Sequence, residues 1–234
     1  MSLAIKNATE ITLDNATFLI YGNPGVGKTT ALKYLPGKTL LLDIDRSSGV
    51  LKGEANIDIV SIDAHNIWKD WLETVKELLN NADAYKQYDN LVVDNVSELF
   101  RASLANLGRD GKNKRVPEQA HYQQVDFTIL DSLRGLQKLG KRLIFTAWET
   151  SDQWTTEGGQ MFNRAMPDIR FKILNNFIGL SDVVARLVVS KTEEGDVKRG
   201  FVLQPTNSIF AKNRLDDRKG CLVNELIIAG VDDD

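Results

Sequence analysis

Short apolar runs rich in β-branched residues alternate with helical patterns along the chain. The strand-like runs are Thr17–Tyr21, Thr39–Ile44, Asp58–Ile62, Asn90–Asp94, Arg142–Thr146, Val183–Val189 and Gly200–Leu203. Between them, Ile67–Asn80 sets Ile67, Trp71, Val75, Leu78 and Leu79 on one face at helical spacing. Phe127–Leu139 does the same with Phe127, Leu130, Leu133 and Leu136. The early strands are continuously apolar rather than alternating, as a parallel sheet covered by helices on both faces requires. The style changes near the end: Val183–Val189, the turn 192-TEEGD-196 and Gly200–Leu203 predict an antiparallel hairpin. The expected fold class is therefore α/β, a mainly parallel sheet flanked by helices with a C-terminal antiparallel hairpin.

Two stretches break this rhythm, 101-RASLANLGRDGKNKRVPEQAHYQQ-124 and 149-ETSDQWTTEGGQMFNRAMPDIR-170. Both are long, polar and glycine-containing, and are expected to be functional loops. No repeat or linker divides the chain, so its 234 residues are expected to form one domain, with a frayed acidic tail at 231-VDDD-234.

The single cysteine, Cys221, excludes an intrachain disulfide and suits a reducing, intracellular setting. Neither a signal-peptide core nor a membrane-length apolar run is present, so no membrane association is expected. The formal net charge is -3, so any contact with nucleic acid must use a local basic surface. His65 and His121 are far apart, and with one cysteine they offer no zinc spacing. Trp68 and Trp71 are expected to be packing residues of the first amphipathic helix.

The strongest motif follows the first strand. Gly22, Asn23, Pro24, Gly25, Val26, Gly27, Lys28 and Thr29, followed by Thr30, match G-x-x-x-x-G-K-[ST] in full, between a strand and a helix. The glycines let the backbone wrap a polyphosphate, and the following helix adds its positive end. Lys28 is expected to reach the β/γ-phosphates, and the Thr29 hydroxyl to ligate Mg²⁺. The apolar strand 90-NLVVDN-95 ends in Asp94, placed to hold the magnesium's water shell. Asp94 is followed by Asn95 rather than a glutamate, so the acid that orients the attacking water must come from elsewhere. The strand 39-TLLLDID-45 offers Asp43 and Asp45, and strand-end position favours Asp45.

In this order GNPGVGKTT, LLLDID, YDNLVVDNVSEL, KRLIFTAWE and 210-FAKNRL-215 resemble the RecA-type core of P-loop ATPases. The resemblance runs from about Thr17 to Gly220 and is nearest to short phage-encoded RecA-like proteins, some of which anneal single strands. It implies one RecA-like ATPase domain using ATP and Mg²⁺ in the cytoplasm of a bacterial host. It also implies that Lys212 and Arg214 reach the ATP site of a neighbouring copy, making the active unit a ring or filament. The two long segments fall where such proteins carry single-stranded DNA loops. The first holds Arg101, Arg109, Lys112, Lys114 and Arg115 against Asp110 alone, a net charge of +4 over Arg101–Arg115. The second carries Trp154, Phe162 and Arg164, types that stack on bases. A single-strand binding protein is a further implied partner. The stretch 146-TAWET-150 departs from the pattern: Trp148 stands where a polar sensor is usual, leaving Thr146 or Glu149 for that role. Asp45 also stands where Glu is usual, one methylene shorter. Two alternatives share the phosphate loop, an AAA+-type motor or loader and a nucleotide kinase. A GTPase is disfavoured, because 113-NKRV-116 lacks the guanine-reading Asp.

Overall fold

The computed structural model describes residues 7, 15–113, 115–191 and 196–227. Ten strands form one sheet: β1 (Thr17–Gly22), β2 (Thr39–Asp43), β3 (Ile57–Ser61), β4 (Asn90–Asp94), β5 (Arg142–Thr155), β6 (Met161–Pro167), β7 (Val183–Lys191), β8 (Val197–Val202), β9 (Lys212–Asn213) and β10 (Gly220–Leu222). The main path runs β10-β8-β7-β1-β5-β4-β2-β3, with β6 on β5 and β9 on β7. The six strands from β7 to β3 are parallel, and β8, β9 and β10 are antiparallel additions. The expected C-terminal hairpin is β7–β8; most of its turn, 192–195, lies outside the described residues, as does the acidic tail.

The helices are α1 (Lys28–Ala31), α2 (Ile67–Asn80), α3 (Val96–Asp110), α4 (Gln119–Gln137) and α5 (Phe171–Leu180). Alternate residues of β1, β2, β4, β5 and β7 feed two core layers. Leu19 and Tyr21 of β1 join the layer under α2, α3, α4 and α5. Phe18 and Ile20 face a thinner layer made by α1, Leu32, Leu35, Leu51 and the β7–β8 strands. Long helices cover one face, and α1 with the 3-10 turns Leu32–Tyr34 and Ser48–Leu51 covers the other, so helices flank both faces, unequally. On α2 the bounds match the periodicity, and Trp71 is fully buried with its Nε1 donating to Ser132 Oγ at 3.3 Å. Leu79 is half exposed instead of buried. Helix α4 begins eight residues earlier than expected and is rotated. Val125, Ile129, Leu130, Leu133 and Leu136 face the core, and Phe127 is 72% exposed.

Most of both expected loops is regular structure. Residues 101–110 continue α3, because small or amide side chains at Ala102, Ser103, Asn106 and Gly108 fit against its neighbours. A Cβ at Gly108 would stand 3.0 Å from Pro117 Cγ, so Pro117 packs against the helix end. Residues 149–167 form a second hairpin, β5–β6, which pairs from Glu149↔Pro167 to Thr155↔Met161. Its turn closes through Thr156 and Gln160, with Gly159 at φ 78. Glu-Gly-Gly was a legible hairpin signal within that stretch.

Candidate active site

The phosphate loop leaves β1 at Gly22 and must pass close to β7. A Cβ at Gly22 would lie 2.9 Å from Leu187 O, so only glycine fits. Gly25 and Gly27 turn the loop through φ 81 and 101, a region that glycine alone enters freely. Lys28 is buried, and its Nζ donates to Gly22 O at 2.9 Å and Asn23 O at 3.1 Å, closing the loop on itself. Burial pulls its pKa down, while Asp94, Asp45 and Glu149 act the other way. Helix α1 is a single turn that runs into a 3-10 turn, Leu32–Tyr34. The expected dipole of a long helix is therefore short, which leaves the loop's own N–H groups as the main donors for a phosphate.

Three oxygens meet beside Lys28. Thr29 Oγ1 donates to Asp94 Oδ2 at 2.6 Å, Ser47 Oγ donates to the same oxygen at 3.0 Å, and the two hydroxyls are 2.9 Å apart. The other carboxylate oxygen of Asp94 accepts from Thr146 Oγ1. Asp94 is 1% exposed, and burial raises its pKa against the pull of the hydroxyls from Thr146, Thr29 and Ser47. Hard oxygen donors of this kind suit Mg²⁺. Among the described residues no group of three or more His, Cys, Asp or Glu side chains that could hold a metal ion is found. Ser47 was missed in the sequence, and no motif marks it.

The strand-end acids separate. Asp43 is buried and accepts from the backbone N–H of Ser47 at 3.1 Å and of Ser48 at 3.3 Å, holding the turn. Asp45 lines the cleft with Lys28, Thr29, Ser47, Asp94 and Trp148, a space of about 310 Å³. Glu149 is tied up: it accepts from Arg186 Nε at 2.9 Å and Nη2 at 2.7 Å. It also accepts a long bond from Asn23 Nδ2, 3.4 Å, so the root of the β5–β6 hairpin touches the phosphate loop. Thr146 donates its hydroxyl proton to Asp94, so both residues proposed for the sensor role are engaged within the chain. Arg199 of β8, also missed, donates from Nε to Val26 O at 3.1 Å.

The remaining candidates scatter. Lys212 Nζ donates to Ile178 O at 2.8 Å and to Ser181 O, capping α5 within its own chain. This corrects the expectation that both basic residues of FAKNRL are free to reach a neighbour. Burial and nearby Arg214 lower the Lys212 pKa. Arg214 is exposed, and no hydrogen bond or ion pair of its side chain is found among the described residues. Its backbone bonds Asp182 O, at the sheet edge opposite the phosphate loop. Five residues of strand, about 3.3 Å each, put it roughly 16 Å from its own loop.

Arg101 stacks on Trp148 with Cζ 4.8 Å from the ring centroid and pairs with Asp168, and Arg109 bonds His65 O. These two basic residues sit on α3, which corrects their placement in a loop. Lys112 and Arg115 are exposed on the α3–α4 connection, and Lys114 lies outside the described residues. Trp154 and Phe162 pair across the β5–β6 hairpin, with Arg164 Cζ 4.0 Å over the Trp154 ring. His121 caps α4 by accepting from Glu118 N at 3.1 Å.

A phosphate loop, a buried aspartate on a nearby parallel strand and hydroxyls between them are the marks of a P-loop ATPase, here on a mainly parallel α/β sheet. More particularly, a family model of the AAA domain matches residues 14–215, and the chain belongs to that family. Members of this class bind a nucleotide, usually with Mg²⁺. Among solved structures, a KaiC-like protein from the hyperthermophilic archaeon Pyrococcus horikoshii OT3 is similar at 16% identity and a TM-score of 0.42, covering 80% of this chain and 77% of that one. No curated protein matches the chain. The family match supports the ATPase chemistry that the RecA-type reading and the AAA+-type alternative share. No helix among the described residues is long and apolar enough to cross a membrane.

Proposed function

We propose that this AAA-domain ATPase binds single-stranded DNA in phage-type recombination or annealing, with ATP sites completed between subunits. The carrying observation is the β5–β6 hairpin. It rises from the strand beside β1, touches Asn23 through Glu149, and sets Trp154, Phe162 and Arg164 on one face. Such a face stacks bases and neutralises phosphates. Its root beside the loop supports coupling between DNA and nucleotide. The proposed partners are single-stranded DNA, further copies in a ring or filament, and a single-strand binding protein.

Within the site, the loop N–H groups and Lys28 bind the ATP phosphates. Thr29, Ser47 and Asp94 would hold Mg²⁺, which supplies charge neutralisation on the β- and γ-phosphates when bound. Asp45 accepts a proton from, and orients, the attacking water. Arg214, on the edge remote from its own loop, supports γ-phosphate charge in a neighbour.

The test is steady-state ATP hydrolysis over a range of protein concentrations, with and without single-stranded DNA at fixed salt. Specific activity should rise with both. Lys28→Ala and Arg214→Ala proteins, each inactive, should regain activity when mixed, because a mixed pair rebuilds one intact site. Activity indifferent to both variables overturns the reading in favour of a self-contained kinase-like enzyme. The family match favours a second reading, an AAA-type motor on another substrate; there activity rises with concentration and ignores DNA.

A further inference from the structure

Asn95 stands where β4 passes into α3, next to Asp94. Its side chain works in two directions. Oδ1 accepts from Glu98 N at 2.8 Å and caps α3, while Nδ2 donates to Asp45 Oδ2. Only this orientation of the amide satisfies both neighbours. Reversed, an NH₂ would face an N–H, and a carbonyl would face a carboxylate. Asn95 is 1% exposed, so packing holds that orientation. The other oxygen of Asp45 accepts from Ser47 N at 3.2 Å, and Ser47 Oγ in turn donates to Asp94. Asp45 is thus held from two sides, one of which leads to α3.

We infer that Asn95 is a positioning residue for hydrolysis: its amide aims the Asp45 carboxylate into the cleft and ties that aim to the N-terminus of α3. The inference rests on the reading of Asp45 as the water-orienting acid. An amide suits this place because it fixes one carboxylate oxygen while leaving the group's remaining lone pairs open. A second carboxylate at this position would repel Asp45.

The test separates aim from fold and from nucleotide binding. Asn95→Ser keeps a good helix cap and loses the donor that reaches Asp45. Its kcat should fall about 10- to 100-fold, as for loss of a positioning contact, with affinity for a fluorescent non-hydrolysable ATP analogue within about 2-fold of wild type. Asn95→Asp keeps the cap but sets two carboxylates together, so the nucleotide-free protein should melt at a lower temperature. The exchange Asp45→Asn with Asn95→Asp restores one amide–carboxylate bond; it should recover the melting temperature but not kcat. Wild-type kcat in Asn95→Ser beside an inactive Asp45→Asn overturns the inference and leaves the Asp45 reading intact. So does an exchange variant that fails to recover its melting temperature. Wild-type kcat in Asp45→Asn overturns the Asp45 reading, and the inference with it.

Discussion

Thr146→Val is the sharpest probe of the buried Asp94 carboxylate, the proposed metal ligand. The substitution keeps the side-chain shape and removes one hydroxyl. Thr146 is fully buried, and its Oγ1 donates to Asp94 Oδ1. Thr29 and Ser47 both serve the other oxygen, so the variant leaves Oδ1 without its hydroxyl donor. A hydrogen bond to a charged group contributes about 1.5–3 kcal/mol, and no water channel is needed to explain its loss. For a chain of this size that corresponds to a melting temperature lower by roughly 4–10 °C. The pH dependence follows from the direction of the Asp94 shift. Burial raises its folded pKa above the unfolded value, so its favourable contribution is present below the unfolded carboxyl pKa and is lost as pH rises through the folded one. Thr146 opposes that rise by favouring the ionised form. Without it the pKa climbs further, and the deficit against wild type should be larger at pH 8 than at pH 5. Urea unfolding at the two pH values measures both quantities. A deficit below about 0.5 kcal/mol at pH 8, or one equal at both pH values, refutes the reasoning. The Mg²⁺ concentration needed for tight nucleotide binding should also rise about 10- to 100-fold, as for loss of a group that orients a ligand.

Lys212→Ala should lower stability by about 1 kcal/mol through loss of the α5 cap, whereas Arg214→Ala should leave the melting temperature unchanged and reduce kcat by about 10³-fold or more. Equal behaviour of the two in melting and turnover assays would contradict the division between them. Gly22→Ala should destabilise by about 1–3 kcal/mol in urea titrations, because its Cβ meets Leu187 O at 2.9 Å. Burial pushes the Cys221 thiol up to about 11, so at pH 8 the folded protein should react with iodoacetamide about 100-fold more slowly than the unfolded chain. Trp154→Ala should weaken single-stranded DNA binding by about 1–3 kcal/mol in fluorescence anisotropy titrations.

Local signals carried the sequence reading far. The strand starts at Thr17, Thr39, Asn90, Arg142 and Val183 coincide with those observed, and α2 spans the residues its periodicity marked. The phosphate loop, Thr29 and Asp94 were legible because a motif and a strand end are properties of a few adjacent residues. The errors arose where polarity was mistaken for loop. Residues 101–110 are helical because small side chains such as Ala102, Ser103 and Gly108 pack as well as large apolar ones. The aromatic segment is a hairpin because strand β5 continues past the sheet until Glu-Gly-Gly turns it.

By itself, the sequence determined a glycine-rich turn of phosphate-loop pattern, the strand-end Asp94 and the parallel strands that present them. The tertiary structure decided which groups surround that aspartate. Sheet order places β4 between β5 and β2, bringing Thr146 and Ser47 onto Asp94 and Asp45 onto Asn95, from positions 47 to 52 residues away. The same folding spends Lys212 on the end of α5 and leaves Arg214 exposed. Short-range spacing encodes a turn or a helix face, but a buried hydrogen bond depends on which strands lie side by side, and that is settled only when the whole sheet assembles.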